Sequence, residues 1–334
     1  MASGLKAQLG WADETGYGTP STVTVFGRVK NYTPSRTATR PTGEGITAGR
    51  PLLYAGHLVE TSEAATLTFE MDLQDRSMGK LYRAMFGSFA TPSAITGGAY
   101  IQTHSLQADT TQSVTFQGGL PEGGTSTTVR PITIAGGVPT QVDISCNVTE
   151  IANSSWQIDG REYLTTVSLA SASYVDTVPF HGKQLGVRIG TYGSESAVTG
   201  ITGVQLSIAR PRDVDKRFAN SGGKKGFPGM NGPIAITGTI TADYLDTTSF
   251  QARWLSLEKF SLVVEFIDTA SGVIGTSSVY KTWRLTLPSC YLVDNAGQAV
   301  PGREVLSNGW AFEARDDETN PAAVLEIINT ESSI

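Results

Sequence analysis

Three groups of residues in this chain are of types that could do chemistry. His57, His104 and His181 could ligate a metal, but they lie far apart, and zinc sites usually show paired ligands at short spacing. They read as structural or surface histidines. Asp72 with Asp75, and Asp243 with Asp246, could pair carboxylates around a cation. A simpler reading explains the residue type. One aspartate of each pair lies on a strand face, and the other caps a helix, its carboxylate accepting orphan backbone N–H bonds. Asp75 and Asp246 are therefore the expected helix caps. Cys146 falls on the apolar phase of a strand and reads as a buried free thiol rather than half of a disulfide with Cys290. No GxSxG, P-loop, HExxH or CxxC motif occurs. Asn31, Asn147 and Asn153 begin glycosylation-type triplets, which carry no weight without a secretion signal. The expectation is a protein with no catalytic residues, no cofactor and no metal, and so not an enzyme.

The aspartates are positioned by a strand–helix unit that occurs twice. In residues 233–260, Ile234, Ile236, Ile240, Ala242 and Tyr244 point one way and Ala235, Thr237, Thr239, Thr241 and Asp243 the other, the period of a half-buried strand. Phe250, Trp254 and Leu257 follow at the spacing of one helical face. TLTFEMDLQD at 66–75 aligns without gaps on TGTITADYLD at 237–246. Thr66/Thr237, Thr68/Thr239, Asp72/Asp243 and Asp75/Asp246 are identical. After the first copy, Met78, Leu81, Tyr82, Met85 and Phe86 predict a helix over about 76–86, ended by Gly87. Two copies of one unit, half a chain apart, suggest an internal duplication.

A chain of 334 residues allows roughly two domains. Hydrophobic content of 39%, charged content of 17% and 37 glycines, with abundant Thr, Ser and Val, favour a folded, turn-rich β protein. The net charge of −6 argues against a general nucleic-acid binder and does not exclude a channel that nucleic acid slides past. No apolar run approaches a membrane span, and the N-terminus has no apolar signal region, so a soluble chain is expected.

In chain order, residues 1–22 read as a turn-rich N-terminal arm that docks through Trp11 and Tyr17. A first module spans 23–178 and a second 179–334. Residues 23–29, 52–58, 65–73, 129–134, 142–148, 201–208, 262–267, 279–287, 304–312 and 324–328 are among the expected strands, with GGVP at 136–139 a tight turn. Each module carries one long loop, over 31–50 and 209–232, before the strand that leads to its helix. The fold class is mainly β: two tandem β-sandwich or barrel modules, each flanked by a short helix, with long loops.

In this order the chain resembles the tail tube (major tail) proteins of long-tailed bacteriophages. The pieces that carry the likeness are GYGTP at 16–20, EGITAGRPLLYAGHL at 44–58, TLTFEMDLQDRSMGKLYRAMFG at 66–87, GGVPTQVDISCNVTE at 136–150, WQIDGRE at 156–162 and PFHGKQLGVRIG at 179–190. The resemblance implies a structural virion protein, assembled in the host cytoplasm. Its modules sit side by side in β-lined rings, and the rings stack into a hollow tube that conducts the genome without binding it. It also implies tape-measure, terminator and distal tail proteins as partners. Single-module relatives form six-membered rings, so a duplicated chain implies a trimer with pseudo-sixfold symmetry. The rival reading is a β-sandwich adhesin or carbohydrate binder. Trp156, Trp254, Trp283 and Trp310 disfavour it, because they fall mostly on apolar phases rather than on one exposed face.

Charge is unevenly placed. Residues 28–50 carry a net +4, and so do residues 210–225, whereas 313–331 carry −5. Such loops are either simply solvated or matched to an acidic partner surface. On the second reading, both loops project from one side of a ring onto the next. The contact candidates are Arg36, Arg40, Arg50, Arg210, Arg212, Lys216, Arg217, Lys224, Lys225 and Phe227, facing Asp316, Asp317 and Glu318.

Overall fold

The computed structural model describes residues 4–45, 49–123, 128–243, 249–293 and 307–334. The chain is mainly β, as alternation and turn chemistry predict. Its first half holds β1 (Gln8–Asp13), β2 (Val25–Gly27), β3 (Val29–Thr39), β4 (Ser62–Asp72), helix α1 (Gly79–Phe86), β5 (Ala90–Ile95), β6 (Ala99–Ser105), β7 (Val114–Pro121), β8 (Val129–Asn147), β9 (Asn153–Gly160) and β10 (Glu162–Leu164). Its second half holds β11 (Leu185–Thr191), β12 (Ser194–Ala197), β13 (Ile201–Ala209), β14 (Ala235–Asp243), helix α2 (Gln251–Ser256), β15 (Phe260–Asp268), β16 (Lys281–Leu292), β17 (Ser307–Ala314) and β18 (Val324–Asn329).

One succession of antiparallel pairings occurs in both halves. In the first, β2–β1–β7–β8–β10 form one sheet and β8–β9–β4–β3 a second, with β8 passing from one to the other. In the second, β12–β11–β15–β16–β18 and β16–β17–β14–β13 repeat the order. Even the register breaks correspond. One falls between Val29 and Asn31 in β3–β4 and between Ile201 and Gly203 in β13–β14; another falls between Val114 and Phe116 in β7–β8 and between Phe260 and Leu262 in β15–β16. The halves join where β13 pairs with β8, from Gly203 opposite Asn147 to Ala209 opposite Gln141. They join again where β18 pairs with β6.

The core lies under the apolar phase of these strands. Leu67, Phe69, Trp156 and Ile158 are buried in the first half, and Ile236, Ile240, Trp310 and Phe312 in the second. Helix α1 buries Leu81, Tyr82, Met85 and Phe86, the face its spacing predicts, and stops at Gly87, whose φ is 87° and whose N–H bonds the carbonyl of Arg83. Both cysteines are buried and free.

Several expectations need correction. Residues 8–13 are not part of a docking arm. They form β1 inside a sheet, because the burial of Leu9 and Trp11 outweighs the surrounding glycines. The first long loop begins only after Thr39, since β3 runs through Pro34. A proline is tolerated there because its missing N–H faces away from β4. Residues 52–58 form an exposed turn rather than a strand. GGVP is no hairpin turn: Gly136, at φ 68°, bends β8 from one sheet into the other. Asp75 caps nothing. The N-cap of α1 is Met78, because a turn containing Ser77 at φ 70° separates strand from helix. The buried Asp75 carboxylate instead accepts the N–H of Val178 at 2.8 Å and pairs with Lys281 at 3.0 Å. Asp246 and Tyr244 lie outside the described residues. Phe250 is buried but precedes α2 as its N-cap, no residue within α2 is buried, and Leu257 ends it in a left-handed conformation, 69% exposed, so Phe250, Trp254 and Leu257 do not form one buried helical face.

Candidate assembly surface

The second sheets of the two halves run together as β3–β4–β9–β8–β13–β14–β17, and the face opposite the core has one character. Thr33, Ser35 and Thr37 on β3 continue into Thr66, Thr68 and Glu70 on β4 and Ser155 and Gln157 on β9. Gln141, Asp143 and Ser145 follow on β8, Gln205 and Ser207 on β13, Thr237, Thr239 and Thr241 on β14, and Ala311 and Glu313 on β17. None of these positions is lysine or arginine; at the margins Lys30 pairs with Asp72 and bonds Asn153, and Arg315 pairs with Glu313, so the cations that reach this face are matched by its carboxylates. Alternation dictates this: a strand with an apolar inner phase leaves its other phase free to be short and polar. At the join, Asp143 accepts from the Ser207 hydroxyl at 2.6 Å and from the Gln141 amide at 2.9 Å, which ties β8 to β13 through side chains as well as backbone.

The edge strand β3 is the second feature. It pairs with β4, and among the described residues no strand covers its other edge. Its counterpart β13 is covered there by β8. The phases match. The Thr39 carbonyl accepts from Thr61 on the β4 side, so the odd-numbered positions of β3 bond β4 and the even ones, Pro34 and Arg36, turn their backbone groups outward. On β13 the even-numbered phase faces β8, as the Arg210 N–H bonded to the Thr140 carbonyl shows.

The two long loops behave differently. Residues 210–230 fold back over the ends of β4 and β9. Lys225 pairs with Asp159, both buried, and Lys224 reaches Glu162 at 2.8 Å. Arg217 donates to the carbonyls of Glu63 and Gly223 at 2.7 Å. Phe227 packs edge-on against Tyr17 at 5.2 Å. Burial pushes the Asp159 carboxyl and the Tyr17 phenol up, and it presses Arg212 down to about 10 with the help of neighbouring Arg210. Arg210 is fully buried and donates to the Gln107 carbonyl. Contrary to the expectation of an exposed loop, Arg210, Arg212 and Lys225 are buried, because loop 210–230 lies along the first half, where carboxylates and carbonyls hold its cations. Lys216 stays exposed, over the ring of Phe218.

The first loop projects instead. Arg36 and Arg40 are held by Glu60, Arg36 also by Glu63. Beyond them Leu52, Leu53, Tyr54, Leu58 and Val59 are all more than half exposed, with Arg50 over the Tyr54 ring. The sequence suggests a strand here instead, because Leu52, Leu53, Tyr54, Ala55 and Leu58 fall within seven residues and mimic one. On the acidic side Asp316 and Glu318 are exposed. Asp317 is engaged in its own turn, where the N–H and side chain of Asn320 hold its carboxyl well below the usual range, and it also meets Lys259 at 3.3 Å.

Among the described residues no three His, Cys, Asp or Glu side chains converge on a metal position, and no helix is long and apolar enough to cross a membrane. Trp156, Trp283 and Trp310 lie in the core, and Trp254 packs against it, so they form no exposed sugar platform. The family model described as phage tail tube protein matches residues 4–320, nearly the whole chain. The chain belongs to the phage tail tube family. A comparison with curated proteins gives no match. Tail tube membership makes this a structural virion protein of the phage tail, one that self-assembles with other tail components. It also gives the polar sheet face and the open β3 edge an assembly context.

Proposed function

We propose that this tail tube protein polymerises as rings of three chains, each chain supplying two wedges, at residues 23–178 and 179–334 preceded by β1. The rings stack into the hollow conduit through which the genome leaves. The observation that supports this best is the contrast between β13 and β3. Within the chain, β8 of the first half receives β13 of the second. The open edge of β3 offers a further copy the same outward-facing backbone groups, and a strand of that copy pairing there continues the sheet from chain to chain. An interface of this kind between identical chains is head-to-tail, and it closes when the rotation per step divides the circle. Six equivalent wedges need three chains.

The continuous polar face then lines the lumen. Duplex DNA carries one negative charge per roughly 1.7 Å of axis, so a lining of Thr, Ser and Gln with a few carboxylates passes it without the counterion-releasing contacts that would hold it. Tape-measure, terminator and distal tail proteins are the partners such a tube requires, and the host cytoplasm is the place of assembly. Electron microscopy of the concentrated protein tests the reading: rings or tubes are expected, and a population that remains monomeric at all concentrations overturns it.

A further inference from the structure

A groove of about 570 Å³ opens between the start of β14 and the end of β17 on one side and residues 106–109 of the first half on the other. Its walls include Gly232, Ile234, Glu313 and Asp316. Each of these has a counterpart in the first half. Thr66 aligns on Thr237 in the repeated unit, which places Thr61 on Gly232 and Glu63 on Ile234. Trp156 stands opposite Phe69, and Trp310 opposite Ile240, its equivalent; this places Asp159 on Glu313 and Glu162 on Asp316. In the first half these four counterparts are the residues covered by loop 210–230. Gly223 packs against the Thr61 carbonyl, Arg217 bonds the Glu63 carbonyl, Lys225 pairs with Asp159 and Lys224 with Glu162. The same surface is thus filled in one half and open in the other.

The loop that fills it leaves the end of β13. The loop of the same position and nearly the same length, leaving β3, is the one that projects with its apolar tip exposed. From this correspondence we infer that residues 49–59 of one chain seat in the groove of its neighbour within the same ring, as a lateral latch. This rests on the ring reading above: once β3 joins a neighbour as β13 joins β8, the loop after β3 is carried to that neighbour's groove. The chemistry is complementary. Pro233 and Ile234 with Met230 offer apolar walls to Leu52 and Leu53, and Asp316 offers a carboxylate to Arg50, beside Glu313 and Arg315, which pair with each other at 2.9 Å. The latch differs from the internal one in being mainly apolar, because Leu53 stands at the level of Lys224.

The test uses the full chain carrying Leu53→Cys and Asp316→Cys, the positions equivalent to Lys224 and Glu162; the native thiols are buried. Assembly is followed by electron microscopy, then the sample is treated with a short bis-maleimide, which spans the gap that a Lys–Glu pair would fill, and run under denaturing conditions. The latch predicts covalent bands that stop at the number of chains counted in one ring, and no bands from either single variant. A ladder running beyond that number means the tip bridges stacked rings and overturns the lateral latch. Rings without cross-links overturn the latch and leave the ring reading standing. Absence of rings from the parent protein overturns both.

Discussion

Trp156 and Trp310 occupy one position twice: Trp156 stands opposite Phe69 across β4–β9, and Trp310 opposite Ile240 across β14–β17. Phe69 and Ile240 are themselves matched by the ungapped repeat. Each indole is buried under a strand whose other phase is polar. The two halves are therefore built to one pattern, and where they differ, one presents a surface that the other keeps covered.

The open edge of β3 gives the first prediction. Arg36→Pro removes an N–H that points away from β4, on the same phase as Pro34, so the ladder to β4 survives. The lost ion pairs to Glu60 and Glu63 are solvent-exposed ones, which contribute little to stability. The variant is expected to melt within a few degrees of the parent, by circular dichroism, yet to assemble poorly. Ser35→Pro, on the phase that bonds β4, should lower the melting temperature substantially.

The bend in β8 gives the second. At Gly136, φ is 68°, and an added Cβ would lie 2.6 Å from Cβ of Arg161 and 3.0 Å from the Tyr17 ring. Gly136→Ala is expected to cost about 1–3 kcal/mol in denaturant titrations, from left-handed strain together with overpacking. An unchanged midpoint would show that β8 can cross between sheets without this conformation.

Much of this fold was legible in the sequence. Alternation placed β4, β13, β14, β15 and β18, and the spacing of Leu81, Tyr82, Met85 and Phe86 placed α1, because both periods report one buried face. The misses have physical causes. Trp11 lies in a glycine-rich stretch whose local signal is turn, and only tertiary burial makes it a strand. Asp75 has a capping residue's type and spacing, but Lys281, distant in sequence, decides its role. The charge of residues 210–225 suggests a solvated loop or one that meets an acidic surface of the next ring, whereas Lys225 and Lys224 pair with Asp159 and Glu162 of the same chain. Loop charge alone could not reveal that.

Acid sensitivity should centre on His104. Tyr82, Phe86 and Phe89 surround it at 5.6–6.4 Å between ring centres, and neither ring nitrogen has a hydrogen-bond partner. Burial, with the nearby Arg83 cation, presses its pKa down to about 3. Since the folded value is below the unfolded one of about 6.5, the unfolded chain binds the proton first. The stability held above pH 6.5 is thus lost as pH falls toward 3, by up to about 1.4 kcal/mol per pH unit. His104→Phe should flatten that part of a stability–pH curve between pH 6.5 and 4. Parallel curves for parent and variant would remove His104 as the cause.

The lumen assignment of the polar face can be tested with charge. Thr68→Lys with Thr239→Lys places two cations per chain on that face, at equivalent positions of β4 and β14. Tubes of the variant are expected to retain short duplex DNA at low salt and release it as salt rises, while parent tubes retain none. Equal behaviour of the two would place this face elsewhere than the channel.

The central claim is that two wedges per chain close a ring of three through the β3 edge. Cryo-electron microscopy of assembled tubes measures this directly. The account predicts three chains per ring with pseudo-sixfold density, and residues 29–39 paired to a strand of the neighbouring chain. Six chains per ring, or a β3 edge left open to solvent in the tube, would contradict it.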